Sequence, residues 1–330
     1  MFYLWNTSFI YLFRGKIFLK FNWGFTIEAI FSVLPVYFFI LLGFTAKKIF
    51  TNQLDEKTLV LISLYFFQPI LIFWGLTKTP INYELIASPI TYLSIVLICI
   101  VLLLLVAKRL FRERNEQSIY LATSLVGNTG NLGIPLGIAI FGMESVPYTS
   151  IINIANILFI YTFSVYFFAR EQFLLKDAIK SILKIPAIWF ALLALFVNYQ
   201  GITINKHIYT ALEMGAYTSM VIQLLIFGMY LFSVKIKTIP WPLSLQISFV
   251  KHILLPSVGI VFILYFTDLN SYVASILIME LMVPLAVNNV NLAALYNCKP
   301  FNVAATVLVS TALFAILLYF NIEVIKYFIK

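Results

Sequence analysis

The sequence predicts an all-α polytopic membrane protein. Ten transmembrane helices form two inverted five-helix repeats, with the fourth and ninth helices crossed and broken at prolines. Three observations lead there. The chain of 330 residues is 62% hydrophobic and only 11% charged, with a mean hydropathy of +0.99. Soluble domains run closer to half apolar and a quarter charged, and no soluble fold of this length buries so much apolar surface. The apolar stretches recur at membrane-spanning length between short polar breaks. Finally, a proline beside clustered asparagines appears once in each half of the chain.

The spans read 26–48, 58–77, 86–107, 118–141, 147–169, 182–199, 208–234, 244–267, 271–297 and 301–320. About 20 apolar residues cross the hydrocarbon core as a helix, and lipid-facing backbone has to be helical. Basic residues orient them. One set of alternate loops holds Lys47, Lys48, Lys57, Lys108, Arg109, Arg112, Arg114, Arg170, Lys176, Lys180, Lys184, Lys235, Lys237, Lys251 and Lys299, fifteen of the 22 lysines and arginines. The opposite loops hold only Lys78 and Lys206. The positive-inside rule places the rich set in the cytoplasm and both termini outside, in the cell (inner) membrane. Arg14, Lys16 and Lys20 run against this bias. The net charge of +9 is therefore topological signal, and no nucleic-acid partner is expected.

Residues 1–25 are aromatic and basic without a cleavage pattern, which reads as an interfacial segment or an over-called start. The first repeat then covers 26–169, a cytoplasmic connection 170–184, and the second repeat 185–330. The repeat rests on three pairs: Pro35–Phe44 with Pro186–Leu195, Gln68–Gly75 with Gln223–Met229, and Pro135 with Pro284. Their offsets are 151, 155 and 149 residues. Five spans per half is an odd number, so the second half enters the membrane upside down. Such carriers bind substrate near the midplane where interrupted helices meet.

The fourth span carries Gly127-Asn128-Thr129-Gly130-Asn131 and Pro135. Pro135 frees backbone carbonyls, and Asn128 and Asn131 share a helix face. This is an interrupted helix lining a polar site, or else a kinked helix packed through small residues with cross-helix amide bonds. The ninth span repeats the pattern with Pro284, Asn288, Asn289 and Asn291, which favours the interrupted helix. Substrate-binding candidates are Asn128, Thr129, Asn131, Pro135, Pro284, Asn288 and Asn289. Freed N–H groups at a half-helix start, with amide donors beside them, suit a carboxylate.

The string from Asn128 to Gly137, with Val283–Asn289 in the second half, resembles the auxin efflux carrier family. The resemblance covers roughly residues 26–322. It implies ten helices in two inverted halves, related to bile-acid-symporter and sodium/proton-antiporter folds. It also implies a crossover of helices 4 and 9 at Pro135 and Pro284, and a scaffold of helices 1, 2, 6 and 7. By analogy a homodimer is expected. The chain lacks the long hydrophilic central loop of plant auxin carriers and resembles the compact prokaryotic permeases for organic acids.

Among acids within the spans, Glu28 and Glu213 read as membrane-edge residues. Glu280 lies one turn before Pro284 and is a candidate for the coupling ion, a proton or sodium, or a structural partner of Lys251 or His252. Gln68 and Gln223 are weaker candidates for the substrate site. Cys99 and Cys298 imply no disulfide framework. No zinc spacing, HExxH or phosphate loop occurs, so no catalytic residue, metal or cofactor is expected. The function read from the chain is a secondary transporter of small organic anions such as mono- or dicarboxylates, working by alternating access in a lipid bilayer. The other readings are a sodium-coupled bile-acid-like or antiporter-type carrier, and a channel or receptor.

Overall fold

The computed structural model describes residues 23–51, 53–169, 176, 180, 182–233 and 239–329. The amino-terminal segment up to residue 22, most of the 170–184 connection, Lys235, Lys237 and the side chain of Glu28 lie outside the described residues.

The chain runs through helices α1 (Trp23–Ile49), α2 (Glu56–Leu76), α3 (Tyr83–Leu110), α4 (Arg114–Thr123), α5 (Thr129–Phe141) and α6 (Met143–Ala169). It continues through α7 (Pro186–Tyr199), α8 (Lys206–Ser233), α9 (Trp241–Phe266), α10 (Ser271–Met282), α11 (Asn288–Leu295) and α12 (Pro300–Ile329). Among the described residues six helices are long and apolar enough to cross a membrane, and the α5, α7 and α10 segments are shorter apolar helices. Large apolar side chains face outward along them, including Phe38 and Leu41 of α1, Leu104 and Leu105 of α3, Phe196 of α7 and Tyr265 of α9. A water-soluble surface rarely carries such a belt, whereas lipid tails solvate it.

Local sequence sets where helices begin. The Asp55 carboxylate accepts from the backbone N–H of Lys57 and Thr58 at 3.2 and 3.3 Å and so caps α2. Those amides and the Thr58 hydroxyl hold the Asp55 carboxyl below its usual range, the hydroxyl contributing most. Asn82 caps α3 through Leu85 N–H at 2.8 Å, and Asn270 caps α10 through Val273 N–H at 2.9 Å.

Prolines set where helices widen. Turns of π geometry occupy Ser63–Phe67, Thr129–Gly133 and Val250–Leu254, and each is followed two residues later by a proline: Pro69, Pro135 and Pro256. A proline ring has no N–H for the carbonyl four residues back and clashes with it; the wide turn moves that carbonyl aside. A fourth such turn, Ile160–Ser164 in α6, has no proline after it.

Helices α1, α2, α7 and α8 pack chiefly on one another, and α3 to α6 pack with α9 to α12. Helices α1 and α8 approach closely at two glycines. A Cβ added to Gly43 would collide with the Leu225 carbonyl, and one added to Gly228 would collide with the Ile40 carbonyl. Backbone meets backbone at both points, a contact open only to the smallest residue. Gly228→Ala should therefore lower the melting temperature in detergent through overpacking worth about 1–3 kcal/mol. An unchanged melting temperature would show that α1 and α8 separate without cost.

Candidate functional site

The fourth and ninth spans expected from the sequence are each divided in two. Between α4 and α5 lies a non-helical gap at residues 124–128, and between α10 and α11 another at 283–287. The gaps pair with each other. Asn128 N–H donates to the Pro284 carbonyl at 2.8 Å, and Ala286 N–H donates to the Val126 carbonyl at 3.0 Å, forming an antiparallel bridge between Gly127 and Leu285. Two further freed groups find side chains. Leu285 N–H donates to Ser310 Oγ at 3.1 Å, and Asn156 Nδ2 donates to the Gly127 carbonyl at 2.8 Å. Pro284 stands inside its gap. Pro135 stands past the other gap, where it widens the first turn of α5 and does not make the break. The crossing therefore falls at Gly127–Asn128 and Pro284–Ala286, off the expected register of Pro135 on Pro284.

Behind the crossing, α6 supplies a polar cluster that sequence reasoning missed. Thr129 Oγ1 donates to Asn153 Oδ1 at 2.9 Å and accepts from Asn156 Nδ2 at 2.9 Å. Tyr92 of α3 donates its hydroxyl to Asn156 Oδ1 at 3.1 Å. Asn153 and Asn156 are three apart on an apolar helix, the same spacing as Asn128 and Asn131. That signal was legible, but no proline drew attention to it.

A cavity of about 100 Å³ opens in front of the crossing. Asn128, Thr129 and Asn131 line it from α5 and the gap before it, Asn153 and Asn156 from α6, Asn288 and Asn291 from α11, and Gln68 and Gln223 from α2 and α8. Three of the four π turns among the described residues contribute to its wall, through Ser63, Asn131 and Tyr161. Among the described residues no charged side chain lines it. Asn128 Nδ2, Asn153 Nδ2 and Gln223 Oε1, two donors and one acceptor on residues of this lining, are buried atoms with no hydrogen-bond partner. Gln223 Nε2 is held by Ser219 Oγ at 3.0 Å, and Tyr230 of α8 donates to Asn291 Oδ1 at 2.9 Å, tying the two helix groups together.

Of the expected site residues, Asn128, Thr129, Asn131, Asn288, Gln68 and Gln223 come together in this lining. Pro135, Pro284, Asn289 and Glu280 do not. Asn289 is fully buried, with neither amide atom bonded. Glu280 is also fully buried and points at α5: a Cβ on Gly133 would collide with its carboxyl group. Glu213 is half-buried on α8. Lys251, grouped with the loop lysines by charge pattern, sits inside α9 and is fully buried; its Nζ donates to the Leu281 carbonyl at 2.9 Å. The reason is the widened turn before Pro256, which turns Lys251 toward the crossing instead of toward lipid. His252 Nε2 lies 2.9 Å from both Oγ and the carbonyl oxygen of Ser310.

Paired helix interruptions beside an uncharged internal cavity, inside a lipid-facing helical bundle, define the class: a multi-pass membrane protein with interrupted helices at its centre. The comparison with known families gives the same class a name. Residues 28–176, which include the first gap and the α6 asparagines, match the family described as membrane transport protein, the auxin efflux carrier family. The match indicates a membrane transporter, and the family is one of transporters rather than enzymes. No curated protein matches the chain.

The contact between Gly133 and Glu280 can be read out directly. Gly133→Ala should cost about 1–3 kcal/mol of stability while Glu280 is present, and close to nothing in a Glu280→Ala background. Melting of the two single variants and the double variant measures the coupling; strictly additive losses would show that the carboxylate does not rest on Gly133.

Proposed function

We propose that this chain is a secondary carrier of small organic anions, in which the crossing and its cavity hold the substrate's carboxylate and alternating access carries it across. The observation that supports this most is the pair of unpartnered, buried amide donors, Asn128 Nδ2 and Asn153 Nδ2, on one wall of a cavity. A carboxylate supplies the acceptors both lack, and amide-to-carboxylate bonds gain from the substrate's charge. In this reading the chain is ten spans in two inverted halves, with α4–α5 and α10–α11 each making one interrupted span. Helices α1, α2, α7 and α8 serve as the scaffold. The cavity of about 100 Å³ has room for only a few waters, whereas ligand pockets run to about 300–1,000 Å³. Admitting a mono- or dicarboxylate therefore requires the two helix groups to part, which is the motion of alternating access. Tyr230–Asn291 is a bond that such a motion would break.

Asn128→Ala and Asn153→Ala should each weaken organic-acid binding roughly tenfold to a hundredfold, since bonds to a charged group are worth about 1.5–3 kcal/mol. Asn289→Ala, off the cavity, should leave affinity unchanged. Calorimetry on the purified protein and radiolabelled dicarboxylate exchange in proteoliposomes measure both. Saturable exchange competed by unlabelled acid supports the carrier. Ohmic conductance would make it a channel, and wild-type affinity in both cavity variants would remove the site.

Orientation is part of the proposal: the basic loops lie in the cytoplasm and both termini outside. The natural cysteines, Cys99 and Cys298, are buried, while Arg112 and Glu144 are exposed on opposite sides of the α4–α5 span. An impermeant maleimide should label Glu144→Cys in intact cells and Arg112→Cys only after permeabilisation. The reverse pattern would invert the topology.

A further inference from the structure

We propose that Lys251 is a built-in cation at the crossing. Its ammonium stands where a broken-helix carrier holds its coupling cation, so the protein binds no sodium there, and removing the ammonium opens a monovalent-cation site. Four observations carry this. Lys251 Nζ donates to the carbonyl of Leu281, the penultimate residue of half-helix α10, at 2.9 Å. The last carbonyls of a helix lack intrahelical donors and form the negative end of its dipole. The Leu281 carbonyl lies at the edge of the 283–287 gap, and a Cβ on Gly127 in the other gap would come 2.8 Å from Nζ. The ammonium thus fills the space beside both gaps.

Next, Glu280 is fully buried on α10 with neither carboxyl oxygen hydrogen-bonded, and Lys251 lies within electrostatic reach of it. Unwound carbonyls, a half-helix C-terminus and a buried carboxylate are the ligands that interrupted-helix carriers offer a cation. Here the chain supplies the cation itself, on a tether. The remaining titratable groups within reach are neutral ones, Tyr92 and Cys99 of α3, with His252 next in sequence engaged on Ser310. A buried carboxylate without a counter-charge is strongly disfavoured, and Lys251 is the cation that the fold brings within electrostatic reach of Glu280.

The inference rests on the carrier reading only for its consequence, transport that needs no sodium. Its test involves no substrate, so a failed exchange assay would remove that reading without touching this one. The purified full-length protein is compared with Lys251→Met, Glu280→Gln and the double variant. Radioactive sodium binding is measured, along with melting in sodium chloride and in choline chloride at equal ionic strength. The wild type should bind no sodium saturably and melt at the same temperature in both salts. Lys251→Met should bind sodium saturably and melt several degrees higher in sodium than in choline. Adding Glu280→Gln should abolish both effects, because the doubly neutral core has no charge to compensate. Wild-type sodium binding that is lost in Glu280→Gln would overturn the proposal. So would a folded Lys251→Met protein indifferent to sodium. If Lys251→Met cannot be purified in sodium while the double variant is stable, the proposal also falls, since sodium then does not replace the ammonium.

Discussion

The interrupted centre of this protein depends on two reciprocal backbone hydrogen bonds, Asn128 N–H to Pro284 O and Ala286 N–H to Val126 O. A helix interrupted inside hydrocarbon leaves donors and acceptors that water cannot reach, each costly to leave bare. Two interrupted helices placed gap to gap satisfy each other. Once they do, the chain can hold amide side chains, helix ends and unwound carbonyls at a depth where a continuous helix would show only apolar surface. The same geometry accounts for the glycines: Gly127 and Gly133 stand where a side chain would strike Lys251 or Glu280.

The crossing also sorts charge from polarity. Among the described residues the cavity wall is uncharged, amides and hydroxyls set among aliphatic side chains such as Ile157, Ile226 and Val287, while Glu280 and Lys251 lie outside its lining. Under the proposed carrier function, an amide wall would bind an anion through directed donors and release it without breaking an ion pair. A lysine in the wall would bind more tightly and let go more slowly. Lys251 and Glu280 are both fully buried beside the half-helices and apart from that lining.

The widened turns give the cavity its shape. The turn 63–67 brings Ser63 and Leu64 to the wall, 129–133 brings Asn131, and 160–164 brings Tyr161, while 250–254 aims Lys251 inward. Each extra residue per turn alters the angular spacing of side chains within it, so simple helical periodicity does not place these residues. The proline after three of these turns is the local cause, and the polar residue within the turn is what the protein gains from it.

The sequence by itself determined the all-helical membrane class and the polar segment from Asn128 to Asn131, because hydropathy and spacing along one chain are local properties. It also marked Asn288, Gln68 and Gln223, which the fold brings to one cavity. It did not yield Asn153 and Asn156, whose importance comes from Thr129 and the Gly127 carbonyl opposite them. It counted Lys251 with the loops, because a lysine in a span is read by charge alone until a widened turn shows where it points. Nor did it yield the register of the crossing: Pro135 and Pro284 match in sequence, yet Gly127 meets Leu285 in space. Only the tertiary structure decided that register, because it depends on which unpaired N–H and C=O groups face each other across two distant segments. No single segment encodes that pairing.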